Sequence, residues 1–387
     1  MKNYPNNPAC NAVAPSASLA LRAGLRAGIF TAILFTLALF GAAAAPNAFG
    51  VAPAPDGGYP GGNTAEGQKA LLSLTTGTYN TAVGFYSLLS LTDGKFNTGV
   101  GAGTLLLNTA DENTATGAGA LLNNTIGIQN SAHGAFALIS NTEGSFNTAT
   151  GDQALFSNTE GEQNTATGFQ ALVFNTTGDF NTAVGMFSLR NNITGNSNTA
   201  TGAGALGTNT TGVGNTATGT TSLASNTTGS NNTANGFNAL YSNTTGGSNA
   251  AVGDLALYNN TTGTANVALG NAAGFNQTTG NDNVYIGLNV PGVAGESNTI
   301  RIGDNLPQGG QSNCYIGGIF DGAINPDSFL VGVDVNNKLG DHTTAGPRLR
   351  VKDVVENLKK VAELEATVAA LTTQIQKVSA RLETRNP

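Results

Sequence analysis

The chain has 387 residues, of which 10% are charged; it carries a formal net charge of −7, contains 53 Gly and lacks Trp. Long stretches use little beyond Asn, Thr, Gly, Ala and Leu, a bias that means disorder only where it has no phase. Residues 27–347 hold 5 basic and 18 acidic side chains (−13), while residues 348–387 hold 8 and 5 (+3). A body so poor in Lys and Arg does not compete for phosphates, which excludes nucleic acid as a partner.

Residues 1–45 read as a signal peptide. Lys2, Arg22 and Arg26 precede an apolar run at 29–40, and small residues follow at 41–45. The run is shorter than the ~20 residues of a membrane span. An uncleaved anchor is the alternative, and the pattern does not fix a cleavage site. A Pro/Gly-rich linker follows at 46–62. No later segment is apolar and long enough to cross a membrane as a helix. Cys10 falls in the signal, which leaves Cys314 without an internal partner.

From residue 63 to 303 the bias is phased. A Gly recurs every 17 residues from Gly67 to Gly287, with one 16-residue step, and a further 16-residue step reaches Gly303; an Asn stands four places before each of the first fourteen. The unit reads Asn-Thr-Ala-x-Gly, as in Asn181-Thr182-Ala183-Val184-Gly185. Four places after the Gly comes a leucine: Leu71, Leu88, Leu105, Leu121, Leu138, Leu155, Leu172, Leu189, Leu206, Leu223, Leu240 and Leu257. A second Asn follows three places later in ten successive units, from Asn108 to Asn260, and a second Gly, such as Gly178, usually closes that turn.

One 17-residue unit buries no core alone, but stacked units do. The phase therefore predicts an all-β repeat: a parallel β-solenoid, or β-roll, of 17-residue rungs. Each rung is expected to hold one strand at Asn-Thr-Ala-x-Gly and a second at the Ala-Leu segment, joined by two turns. The leucines stack into a continuous ladder, the Asn side chains stack amide on amide, and Gly and Asn supply positive φ at the turns. A residue missing around Ala110-Asp111 marks a surface loop. The strand residues one and three places before the Gly become Val267 and Leu269, Val284 and Ile286, then Ile300 and Ile302. That trend suggests that they face inward, and the Ala face is read as a close-packed surface between chains. At ~4.8 Å per rung the stack is about 70 Å long. Aromatics beside the ladder (Phe85, Phe136, Phe156, Phe169, Phe187, Phe237, Tyr241, Tyr258) read as edge packing or contact with a neighbouring chain. A ligand-binding stripe is the alternative.

Residues 304–341 are expected to cap the stack with strands at 314–319 and 331–335, and 342–350 form a hinge. Residues 351–387 carry heptads: Val354, Val361, Val368, Ile375 and Leu382 on one position, Leu364, Leu371 and Val378 on the other, with Asn357 in the polar slot. This predicts an α-helical coiled coil that oligomerises the chain. β-branched residues at one position with Leu at the other favour dimers in model systems, the pattern is too short to settle the oligomer number, and one amphipathic helix packed on the solenoid is the other reading.

Asn266-Val267-Ala268-Leu269-Gly270 and its relatives resemble the head repeats of trimeric autotransporter adhesins. The resemblance covers 63–303 and implies a left-handed β-roll, three chains side by side, and a coiled-coil stalk. The 17-residue period is longer than that family's usual unit, and nothing after Gly340 alternates like the strands of its membrane barrel. Ser297 to Gly303 and Val333 to Gly340 resemble the repeats that precede self-cleaving intramolecular chaperone domains. Thr343 to Arg348 stands where their Ser is expected, and the chaperone body is missing.

Catalysis is not expected. His133 and His342 are the two histidines and cannot build a His-based metal site. No Gly-rich loop precedes a helix signal. Asp321 and Asp327 read as loop decoration rather than calcium ligands, and no cofactor is predicted. Sequons such as Asn243-Thr244-Thr245 are explained by the repeat itself. The sequence points to a secreted or surface-exposed, non-enzymatic repeat protein, and the resemblance to the adhesin heads implies a homotrimer that mediates attachment to host or neighbouring cells or matrix. A purely structural fibre is one alternative. The other is an ice-binding Thr ladder, drawn from pairs such as Thr114/Thr116 and Thr148/Thr150.

Overall fold

The computed structural model describes residues 59–303, 332–333, 339–340 and 351–383. The expected signal peptide, most of the linker, the hinge, both cysteines, Asp321, Asp327, His342 and the strand at 314–319 lie outside the described residues. The chain divides into two units, 1–310 and 311–387.

The first unit is an all-parallel β-solenoid. Fifteen three-residue strands, β1 (Thr64–Glu66) to β15 (Ile300–Ile302), form one sheet in sequence order. Each strand pairs with the next in the repeat's own register, so that Ala166 lies over Ala183 and Ala183 over Ala200. One residue type at one position thus becomes one straight column.

The central alanine of the strand points into the core, and its two neighbours point outward. This reverses the expected direction. Val267, Leu269, Ile300 and Ile302 are exposed, and the alanines lie inside the rung rather than between chains. The physical reason is width. Ala opposes the Leu wall across a thin core, where a Val or Ile has no room.

The second wall is not a strand. The Ala-Leu segment runs in turns, and its leucines adopt left-handed backbone, such as Leu88 at φ 51° and Leu189 at φ 47°. Left-handed backbone costs a non-Gly residue roughly 1–2 kcal/mol. Bonds between rungs compensate: the Leu172 N–H donates to Ser188 O at 3.0 Å, and the Gln170 N–H donates to Asp152 O at 3.0 Å. Local turn bonds satisfy the residues between, as in Ala171 N–H to Gly168 O. Leu71 through Leu257 are buried and form one cluster with the alanines.

Two columns of buried Asn fill the rest of the interior. In the first, Asn181 donates Nδ2 to Asn164 Oδ1, and its backbone N–H donates to the same oxygen. In the second, Asn192 donates Nδ2 to Asn175 Oδ1 at 2.8 Å. The columns meet at the turn glycine, where Gly178 O accepts from both Asn164 and Asn175. These Asn residues do not take positive φ, so their role is the ladder and not the turn. Gly178 is also not left-handed; it is needed for space, since a Cβ there would lie 2.5 Å from Asn175 Oδ1 and 2.6 Å from Gly195 O. The strand-end glycines do need their freedom, as Gly185 has φ 127°. Where one residue is missing, Ala110 O accepts from Asn97 and Asn108 in place of the turn glycine.

The core closes with an exchange of sizes. Tyr285 replaces the strand Ala, and Gly274 replaces the Leu of the preceding rung. A Cβ on Gly274 would lie 2.7 Å from the buried Tyr285 ring.

In the second unit, β16 (Gly332–Val333) and β17 (Leu339–Gly340) form an antiparallel pair. The helix α1 spans Val351–Glu383, 33 residues with no Gly or Pro, about 50 Å long.

Candidate functional site

Most rungs turn two strand residues, the residues after the strand-end Gly, those after the leucine and those of the turns toward solvent, although Tyr86, Ile139 and Val173 are buried. The interior is filled by Ala, Leu and Asn, so any chemistry the solenoid offers lies in outward columns.

The strand face is flat. Its middle carries Thr on both sides of the Ala in β4 (Thr114–Thr116), β6 (Thr148–Thr150), β7 (Thr165–Thr167), β9 (Thr199–Thr201) and β10 (Thr216–Thr218). Its C-terminal end is apolar, with Ile300 71% and Ile302 53% exposed. His133 lies on this face, and its Nδ1 is 2.8 Å from Thr116 Oγ1. Among the described residues no group of three His, Cys, Asp or Glu can hold a metal ion.

The aromatics form short stacks along the rod. Tyr241, Tyr258 and Phe275, each one place after the leucine position, stack at 5.2 and 5.3 Å with rings within 10° of parallel. Phe169 meets Phe187 edge-on at 5.5 Å, and the Arg190 guanidinium lies 5.3 Å from both the Phe174 and Phe187 rings. Tyr79 and Phe96 make a third stack at 5.3 Å. Phe85 and Phe237 are exposed.

The C-terminal end of the core holds an ionic cluster. Tyr285 Oη donates to Glu296 Oε1 at 2.9 Å, and Arg301 grips the same carboxylate with Nε at 3.0 Å and Nη2 at 2.6 Å. Burial pushes the Glu296 carboxyl up, but hydrogen bonds from Arg301, the Val293 N–H and Tyr285 outweigh it and hold the group below the usual range. Burial, reinforced by Glu296, pushes the Tyr285 phenol up. The cluster ties the strands β14 and β15 to the segment carrying Glu296 at the last described rungs of the stack.

On α1 the heptad side chains Val361, Leu364, Val368, Leu371, Ile375 and Val378 are exposed. Those of Val354 and Leu382 lie outside the described residues. Among the described residues no helix is long and apolar enough to cross a membrane. Asn243, first residue of the sequon Asn243-Thr244-Thr245, is fully buried in the amide column.

No family model, curated protein or solved structure matches this chain. The sequence reading missed the ionic cap, and it turned the Thr pairs inward while keeping an outward Thr ladder only as an alternative. A signal existed for the first: Tyr285 stands where twelve of the thirteen preceding rungs carry Ala, and a Glu and an Arg follow within 16 residues.

Proposed function

We infer that the protein is an exported, non-enzymatic rod that packs against two copies of itself and attaches a cell surface to other cells or matrix. The observation that carries this reading is the outward apolar end of the strand face. Val267, Leu269, Ile300 and Ile302 lie on one strand ladder that no other described residue covers. Contiguous apolar surface of this kind marks an interaction face. The exposed heptad stripe of α1 supports a coiled coil between the same copies. The resemblance of Asn266 to Gly270 to trimeric autotransporter heads supports the trimer and the attachment role, and the apolar run at 29–40 supports export.

Attachment is tested by immobilising the full chain and measuring retention of host cells, bacterial cells and matrix proteins. Saturable retention of one of them supports the reading; a surface that retains none refutes it and leaves a fibre or spacer.

One specific observation favours a second reading. The Thr pairs of β4, β6, β7, β9 and β10 point outward in strict register, which removes the objection that they face the core. A regular hydroxyl array of that kind orders water. Thermal hysteresis by the full chain would establish ice binding, and a trimer that buries this face would rule it out.

A further inference from the structure

Four successive rungs differ abruptly at three outward positions. The rung of β8 (Thr182–Val184) carries Met186, Phe187 and Arg190 there, and the rung of β11 (Thr233–Asn235) carries Phe237, Asn238 and Tyr241. Between them, the rung of β9 carries Ala203, Gly204 and Gly207, and that of β10 carries Thr220, Thr221 and Ala224. Large walls thus flank a notch two rungs wide. Three rung spacings separate the walls, about 14 Å from backbone to backbone.

The backbone does not demand this gap. Gly204 has φ 67°, yet Gln170, Phe187 and Asn238 hold the equivalent positions at φ 54°, 61° and 55°. A Cβ on Gly204 would meet nothing closer than Thr221 Cγ2 at 3.5 Å. Tyr241 closes the notch with a ring face. Its other face is covered by Tyr258 at 5.2 Å, so the free face is turned toward the Ala224 rung. Beside it, Asn238 Oδ1 accepts from Thr221, while Asn238 Nδ2 and Tyr241 Oη have no hydrogen-bond partner among the described residues.

The geometry points to a binding site for one pyranose ring of an oligosaccharide, lying flat on Tyr241 and donating or accepting at Asn238 and the Tyr241 hydroxyl. An aromatic face attracts the weakly positive C–H face of a sugar ring, and polar groups at its rim fix the hydroxyls. An extended peptide is disfavoured, because it binds by adding main-chain bonds. Here the wall's backbone is already paired rung to rung: Leu206 N–H to Ser222 O, Leu223 N–H to Ala239 O and Thr221 N–H to Ala203 O. The site names a ligand for the attachment reading and rests on it.

The test is calorimetric titration of the full chain with cellohexaose, xylohexaose and chitohexaose, alongside Ala224→Tyr and Tyr241→Ala. Tyr occupies the Ala224-equivalent position in two neighbouring rungs, so Ala224→Tyr folds and plugs the notch. The expected result is binding of at least one oligosaccharide, with a loss of about tenfold or more in both variants. No binding to all three, or binding unchanged in Ala224→Tyr, overturns the proposal. Cell attachment that persists in Ala224→Tyr without sugar binding removes the notch and leaves the attachment reading; sugar binding without attachment does the reverse.

Discussion

Asn175 donates its amide Nδ2 to Asn158 Oδ1 one rung below, at 2.8 Å, deep in the solenoid. The same nitrogen donates to Gly178 O at 2.9 Å. Asn175→Ala leaves Asn158 Oδ1 buried without a donor and removes an acceptor from Asn192. A buried polar group left unpaired costs about 1–3 kcal/mol, so the variant is expected to lose roughly 2–4 kcal/mol. A lowered urea midpoint followed by circular dichroism measures it. An unchanged midpoint would mean that the amide column contributes no stability.

The glycines divide into those that need space and those that leave it. Gly178→Ala drives a Cβ into Asn175 Oδ1 and Gly195 O, and overpacking of that kind costs about 1–3 kcal/mol. Gly204→Ala meets only the cost of left-handed backbone, about 1 kcal/mol. Gly178→Ala is expected to unfold at the lower urea concentration of the two; the reverse order would contradict the close approach at the turn.

The second amide column is interrupted near its end. Asn260 Oδ1 and Gln277 Oε1 are buried without partners, because Gln277 reaches past the column to Glu296 O at 3.1 Å. Gln277→Asn restores the repeat residue, able to donate to Asn260 Oδ1 as Asn260 does to Asn243 at 2.9 Å. The variant is expected to gain about 1 kcal/mol, read as a raised urea midpoint. A loss would show that the bond to Glu296 O matters more than the column.

Acid should loosen the C-terminal cap first. Glu296 is held below its ordinary range in the fold, so its contribution is present above the unfolded-state pKa and is lost as pH falls through the folded one. Stability is expected to fall as pH drops below the usual carboxylate range, and Glu296→Gln should flatten that limb. The measurement is the urea midpoint of both proteins from pH 7 to pH 3. Parallel limbs would show that other carboxylates govern acid sensitivity.

The repeat was legible because spacing needs no propensity. Asn, Gly and Leu at fixed offsets disclosed a stacked rung and its length. The strand direction was not legible from the residues. Hydrophobicity ranks Val267 and Leu269 above Ala, yet opposite a ladder Leu the core takes the methyl of Ala268 and leaves the larger chains outside; Tyr285 enters the same column only where Gly274 replaces the Leu. The left-handed leucines were hidden for a related reason: local preference disfavours them, and only bonds from rungs 17 residues away, such as Leu172 to Ser188, hold them there. Gly204 and Gly207 stood in plain view as small residues, but the notch appears only when Phe187 and Tyr241 are known to share their columns.

Under the proposed self-assembly, the exposed Ile300 and Ile302 are the side chains expected to lie in the contact between copies. Burying an Ile side chain is worth about 1.5–3 kcal/mol, and a trimer buries both in each of three chains. Ile300→Asp with Ile302→Asp places carboxylates in that contact, where desolvation opposes association. The proposed coiled coil would give an independent hold, so Val368→Asp with Ile375→Asp is expected to weaken it and leave the strand face untouched. Sedimentation of the full chain is expected to show three copies, with a lower average mass in each double variant and monomer when the two are combined. Three copies retained in the strand-face variant would place the contact on the helix alone. A monomeric parent chain with native circular dichroism would refute self-assembly and return the strand face to solvent, where its Thr pairs become the surface to test.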